Sequence, residues 1–143
     1  MAGLHAPFRF DYVGSFLRPE ALKRARADFT AGSITAEELT AVEDDAIRDL
    51  VAKQKAAGYH VITDGEFRRS YWHLDFMWGL EGIEHIELDH GYRFHGEETT
   101  HGSARVMGRI GGADHPFVRH YQFMRQFEEE GVIAKQTLPA PAQ

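Results

Sequence analysis

Cysteine is absent from all 143 residues, which excludes a disulfide scaffold and any thiolate metal site supplied by this chain alone. No apolar run approaches the ~18–20 residues that a membrane-crossing helix needs. Basic residues are in the minority: 16 Lys and Arg stand against 22 Asp and Glu, a net charge of −6. Binding to a phosphate backbone needs concentrated Lys and Arg, so nucleic acid is excluded as the main partner. Met1-Ala2-Gly3-Leu4-His5 has none of the charged-then-apolar layout of a secretory signal. Internal repeats and low-complexity tracts are lacking too. With 43% hydrophobic and 27% charged residues, what remains is a globular protein of one ordinary domain, expected in the cytoplasm and away from membranes.

The residues present read as alternating strands and helices. Phe8 to Val13 alternates apolar side chains with Arg9 and Asp11, as a strand requires. Pro19 suits the first turn of a helix running to about Phe29. Thr35-Ala36-Glu37-Glu38 is a capping box. It opens a second helix with Leu39, Val42, Ala46, Leu50 and Ala57 as apolar positions, the run Glu43-Asp44-Asp45 on a solvated face, and Gly58 as its left-handed stop. His60-Val61-Ile62 is a short apolar strand. Tyr71 to Trp78 is aromatic-rich and reads as a short helix or irregular wall, with Trp72 and Trp78 as packing residues. Ile83–Leu88 and Tyr92–His95 flank the turn Asp89-His90-Gly91 as a hairpin, and Ser103–Ile110 is a third extended segment. A helix from about His115 to Glu129 and a strand Val132–Thr137 close the order.

Core strands separated by helices imply an α/β fold with parallel pairing and right-handed crossovers. Such folds place ligand chemistry where strands end. Two junctions stand there. Val13-Gly14-Ser15 offers backbone amides and a hydroxyl; Asp64-Gly65-Glu66-Phe67-Arg68-Arg69 offers carboxylates. Together they suit a small zwitterionic ligand, the amides and hydroxyl donating to a carboxylate and Glu66 pairing with an ammonium. Each residue has a plainer role open to it: Glu66 as a partner of Arg68 or Arg69, Ser15 as a turn residue, Asp64 as a support for the loop. His85, His90, His95 and His101 lie in or beside turns without helical i, i+4 spacing and read as solvated, and His115 before Pro116 as a helix cap, so no metal ligands are assigned.

Tyr12-Val13-Gly14-Ser15-Phe16-Leu17-Arg18-Pro19, the helix Thr35–Gly58 and Val61-Ile62-Thr63-Asp64-Gly65-Glu66-Phe67-Arg68-Arg69 resemble the cobalamin-independent methionine synthase family, and within it the short single-barrel bacterial members. The likeness runs on to Lys135-Gln136-Thr137-Leu138-Pro139-Ala140-Pro141. It implies a (β/α)8 TIM-type barrel in which zinc holds the thiolate of homocysteine for methyl transfer from a methyl-folate or another donor, the reaction of a 5-methyltetrahydropteroyltriglutamate–homocysteine S-methyltransferase. By the same resemblance Val13, Gly14 and Ser15 contact the amino acid and Glu66 binds its ammonium, with Asp64 beside it. The family's zinc ligands (His, Glu and Cys) come from later barrel strands, so the resemblance implies zinc without placing its ligands in this chain. The segment Glu97-Glu98-Thr99-Thr100-His101 does not supply the arginine that long members place near folate.

Residues 1–143 are thus expected to be the N-terminal part of such a barrel, about its first three strands, with a hairpin excursion at about 83–110. The expected function is methyl transfer to homocysteine, this chain supplying part of the amino-acid site. Two alternatives stand beside it: alkyl transfer to another small thiol, and a non-catalytic truncated or assembly module. A partial ring leaves its edges and inner face uncovered, so a homo-oligomer, or completion by another chain, is expected.

Overall fold

The computed structural model describes residues 12–91, 93–98 and 101–140. The described chain is α/β. Its elements are α1 (Glu20–Thr30), α2 (Ala36–Ala56), β1 (Val61–Ile62), α3 (Leu74–Trp78), β2 (Glu81–Glu87), β3 (Arg93–Phe94), β4 (Glu97–Glu98), β5 (Gly102–Gly111), α4 (Pro116–Arg125) and β6 (Ile133–Ala134). Among the described residues no helix is long and apolar enough to cross a membrane.

Two compact units divide the chain, the first built from residues up to Arg68 together with Tyr121–Thr137, the second from Arg69–His120 with the residues after Thr137. In the first unit β1 and β6 pair in parallel, Val61 opposite Ile133 and Ile62 opposite Ala134. Leu22, Ile47, Leu50, Val51, Ile62, Phe67, Met124 and Ala134 form the buried apolar cluster of that unit. Each of α1, α2, β1 and β6 contributes one face to it, which is the layered packing expected when helices cover a parallel pair.

Helix α2 follows from its sequence at both ends. The Thr35 hydroxyl accepts from the Glu38 amide at 3.2 Å while the Glu38 carboxylate accepts from the Thr35 amide at 2.7 Å, so two of the first-turn donors are satisfied reciprocally. At the other end Tyr59 N–H donates to Gln54 O and Gly58 N–H to Lys55 O, the paired bonds of a Schellman stop, with Gly58 at φ +81°. Between them the buried stripe is Glu43, Ile47, Leu50, Val51 and Gln54, at helical spacing. Two expectations fail here. Ala57 is exposed, and Glu43 is buried rather than solvated. Its carboxylate lies 3.3 Å from Arg26 of α1 and 3.1 Å from Arg68, which also bonds Asp44. A run of three acids reads as solvated only when the neighbouring elements bring no cations, and here two bring arginines.

Pro19 precedes α1 as its cap, at φ −65° and ψ 153°, rather than standing in the first turn. Of the strand expected at Phe8–Val13, Phe8–Asp11 lie outside the described residues; Tyr12 and Val13 carry no strand. The helix expected to reach Glu129 ends at Arg125, because Gln126, Phe127 and Glu128 turn back through bonds to the carbonyls three residues before them. The closing strand is Ile133–Ala134 alone, shorter than Val132–Thr137.

In the second unit the pairing differs from the local hairpin. β2 pairs antiparallel with β5, Glu84 opposite Arg105 and Glu87 opposite Gly102, while β3 pairs with β4. Asp89-His90-Gly91 therefore does not join partners; the connection between them is longer and contains the small β3–β4 ladder. Tyr92 lies outside the described residues. The cross-strand pair Glu84–Arg105 is the kind of opposite-charge neighbour that favours this register. Trp78 donates from its indole nitrogen to Ser103 O at 3.0 Å and stacks on His85, centroids 3.9 Å apart. It is a packing residue, and His85 belongs to a strand rather than a turn. Trp72 is half-exposed. His115 is buried; its Nδ1 accepts from the Phe117 amide at 3.1 Å and its Nε2 lies 2.8 Å from Phe76 O, so it does cap α4.

Candidate functional site

The site lies in the first unit, on the residues that follow β1 and β6, with the segment 12–18 alongside. Its frame is Thr63. Gln54, near the end of α2, accepts from the Thr63 amide at 3.0 Å and donates to its carbonyl at 2.8 Å. A side-chain amide is thus bonded to both backbone groups of a buried residue just past β1, where no strand partner satisfies them. The Tyr12 hydroxyl lies within hydrogen-bond reach of two acceptors for its single proton, Gln54 Oε1 and Val61 O. Burial, reinforced by neighbouring Tyr59, pushes the Tyr12 phenol above its ordinary 10.0, so it stays protonated as a donor. Lys135 bonds to Tyr12 O and sits over the Tyr12 ring at 4.6 Å.

The Thr63 hydroxyl donates to Gly14 O at 2.7 Å, and Phe16 N–H donates to Gly65 O at 3.1 Å. These bonds seat the Gly14-Ser15 turn against the start of the Asp64–Glu66 loop. Glycine is required at 14: φ is +94°, and a Cβ there would stand 2.6 Å from Thr63 Cγ2. Gly14 is buried, Ser15 is exposed, and Val13 is 73% exposed.

Asp64 and Glu66 are both buried. Asp64 Oδ1 accepts from the Glu66 amide at 2.9 Å, closing a tight Asx-type loop. Among the described residues Asp64 Oδ2 is buried with no hydrogen-bond partner. Glu66 takes φ +58° and is the one non-glycine residue at positive φ among the described residues. Three neighbours hold it there. Arg18 donates to its carbonyl at 2.9 Å, Asp64 receives its amide, and Thr137 donates from Oγ1 to its carboxylate Oε1 at 3.1 Å. Arg26 holds the next carbonyl, that of Phe67, at 2.6 Å. The structure therefore brings Gly14, Asp64 and Glu66 together, with Val13 and Ser15 at the rim. Arg68 is committed to Glu43 and Asp44.

Three further residues belong to this neighbourhood that composition and spacing did not single out. Gln54 and Thr137 reach it from α2 and from beyond β6, and Arg18 stands in the motif itself. Arg18 was legible in principle from its place four residues after Gly14. The others depend on which elements fold together.

Among the described residues no group of three or more His, Asp and Glu side chains could hold a metal ion, and the sequence has no cysteine. The donor set for a thiolate-holding zinc does not fit the residues present.

The profile of the family described as cobalamin-independent synthase, catalytic domain, matches residues 10–99. The uncharacterized protein YxjG of Bacillus subtilis (strain 168) is 42% identical over 135 residues, covering 94% of this chain and 35% of its own length. A methionine synthase of Sulfolobus acidocaldarius is 34% identical over 86 residues, covering 57% of this chain and 25% of its own. A crystal structure of a candidate vitamin-B12-independent methionine synthase from Listeria monocytogenes superposes with a TM-score of 0.78 at 41% identity, covering 98% of this chain and 38% of that one. The chain spans about a third of the length of its first curated relative. With a family profile over most of its length and an extended structural match, this chain belongs to the cobalamin-independent methionine synthase family.

Proposed function

We propose that this chain carries the amino-acid end of the substrate site of a methyltransferase that methylates the thiol of homocysteine. In this reading β1 and β6 are neighbouring staves of a (β/α)8 barrel, and the site sits beyond their C-terminal ends, where barrel enzymes hold their ligands. Glu66 binds the substrate ammonium, Asp64 stands beside it, and the Gly14-Ser15 turn, with Val13 at the rim, receives the carboxylate.

The observation that carries the reading is the treatment of Glu66. A buried carboxylate on a left-handed backbone is costly, and such residues persist where surrounding structure over-determines them. Here Arg18, Asp64 and Thr137 hold the residue. The carboxylate is thereby positioned before any ligand arrives, which is what tight recognition of a small cation needs. Family membership supports the substrate class, since one relative is named a methionine synthase and one solved structure a candidate B12-independent methionine synthase.

Zinc chemistry belongs, on this reading, to residues other than those of this chain, and no step is routed through a metal here. What the chain contributes is selection and orientation: pairing the ammonium at Glu66 fixes which end of the amino acid faces inward and so where its thiol lies.

Titration calorimetry with L-homocysteine tests the assignment. Glu66→Ala is expected to weaken binding by about 1.5–3 kcal/mol, the range for a hydrogen bond to a charged group. Unchanged affinity would return Glu66 to a structural role.

A further inference from the structure

Lys135 is fixed at both ends. Its amide donates to Ile62 O at 2.8 Å, so its backbone is tied to β1. Its ammonium bonds Tyr12 O, across 123 residues of chain, and lies 4.6 Å from the centre of the Tyr12 ring. The residue is half-buried, and among the described residues no carboxylate pairs with it. Its partners are a carbonyl oxygen and a ring face, although an ammonium carries three donors and a full charge. A cation taken partly out of water is usually paired with an acid. This one is committed to the segment that leads into the Gly14-Ser15 turn.

The bonds that hold this segment fall on alternate residues. Lys135 holds Tyr12 O, the Thr63 hydroxyl holds Gly14 O at 2.7 Å, and Gly65 O receives the Phe16 amide at 3.1 Å. A trans peptide is planar, so its carbonyl and its amide point opposite ways. Fixing Tyr12 O against Lys135 therefore turns the Val13 N–H away from the ammonium. Fixing Gly14 O against Thr63 likewise turns the Ser15 N–H away from Thr63. Val13 and Ser15 are both exposed, and neither amide is bonded to another described residue. Two donors are thus oriented and left open, one by Lys135 and one by Thr63.

We propose that Lys135 is a positioning residue for the carboxylate end of the amino-acid site. The inference rests on the homocysteine reading above and adds to it the group that readies the Gly14-Ser15 turn for an anion. Lys135 acts through Tyr12 O. It fixes the peptide whose amide opens outward at Val13, and it sets a positive charge behind that peptide. A cation on the carbonyl oxygen also polarises the peptide and strengthens its amide as a donor. Thr63 holds the next carbonyl but one without adding charge. The two ends of a zwitterion then meet opposite signs: Glu66 is set for the ammonium, and the amides backed by Lys135 for the carboxylate.

The test is calorimetry on the 143-residue chain with two probes, L-homocysteine and 3-mercaptopropylamine, which keeps thiol and ammonium and lacks the carboxylate. Lys135→Met keeps most of the stem and removes the charge and the donors. It is expected to weaken homocysteine about tenfold, the loss of one charge-assisted bond, and not to weaken the amine. Lys135→Arg keeps a cation and its donors and is expected to recover part of the homocysteine affinity. In the unaltered chain the side-chain ammonium resonance of Lys135 is expected to shift on titration with homocysteine and not with the amine. That measurement stands even if the variants fail to fold. Equal weakening of both probes by Lys135→Met, an arginine variant no better than the methionine variant, or a Lys135 resonance indifferent to homocysteine overturns the inference and leaves Lys135 as a clasp for the segment at Tyr12. Failure of homocysteine to bind the unaltered chain overturns the homocysteine reading and this inference with it. Normal binding that ignores position 135 overturns this inference alone.

Discussion

Thr137 Oγ1 lies 3.1 Å from Glu66 Oε1, across 71 residues of chain. The bond joins the segment after β6 to the loop after β1, and it acts on the carboxylate itself rather than on the backbone. Replacing Thr137 by Val keeps the shape and removes the donor. Homocysteine affinity is expected to fall about tenfold, the equivalent of ~1.4 kcal/mol for a lost hydrogen bond to a charged group. Thr137→Ser is expected to restore it, which a loss due to packing alone would not allow. Calorimetry on the two variants decides the matter.

Gln54 links α2 to the same loop. Gln54→Leu is close in volume but strips the partners from both backbone groups of Thr63, which is 2% exposed. With each unmet group costing about 1–3 kcal/mol, a loss of roughly 2–4 kcal/mol in unfolding free energy is expected. Gln54→Glu keeps an acceptor for the Thr63 amide and should fall between. A urea titration showing both variants within 0.5 kcal/mol of the parent, an order-of-magnitude threshold for ordinary surface changes, would mean that α2 docks without this clamp.

Glu43 sets a pH dependence. Burial pushes its carboxyl above the ordinary 4.5, against the opposing pull of Arg68 and Arg26. The folded chain therefore holds the Glu43 proton more tightly than the unfolded chain does. Stability is expected to fall as pH rises from 4.5 through the raised folded value, and to be free of this cost below 4.5. In Glu43→Gln that decline should be missing. Melting temperatures of the two proteins between pH 4 and pH 7 provide the check; a parent that gains on the variant as pH rises would show that the arginines outweigh burial.

The parallel pair β1–β6 is a two-stranded sheet among the described residues, each strand paired along one edge, and Ile133 is 40% exposed. Open parallel edges beside exposed apolar side chains favour association. The chain by itself is expected to sediment as a dimer or larger at low micromolar concentration. A compact monomer with a cooperative melt would show that the first unit closes its own core.

What the sequence made legible was whatever short-range chemistry controls. The capping box at Thr35 and the stop at Gly58 are contained within a few residues of one helix end, so their reading carries over into three dimensions. Asp64-Gly65-Glu66 was legible for the same reason: a carboxylate two residues before an amide forms its own loop. Pairings decided by distant partners were not. β2 chose β5 across the β3–β4 ladder because the Glu84–Arg105 register offers a longer ribbon than the local turn at Asp89. Glu43 looked solvated because the arginines that cover it come from α1 and from the loop after β1. Thr137 carries no local mark at all; only the folding of the segment after β6 against the loop after β1 brings it to Glu66.

The left-handed backbone at Glu66 has an evolutionary consequence. Glycine or asparagine would occupy φ +58° with less strain, and a non-glycine residue in that region costs about 1–2 kcal/mol. A library selected for heat tolerance alone would therefore draw position 66 toward glycine and away from the acid. On the proposed role of Glu66, tolerance and recognition pull this position in opposite directions, and a stabilised descendant of this chain is the place to look for a fold that has kept its shape and lost its ligand.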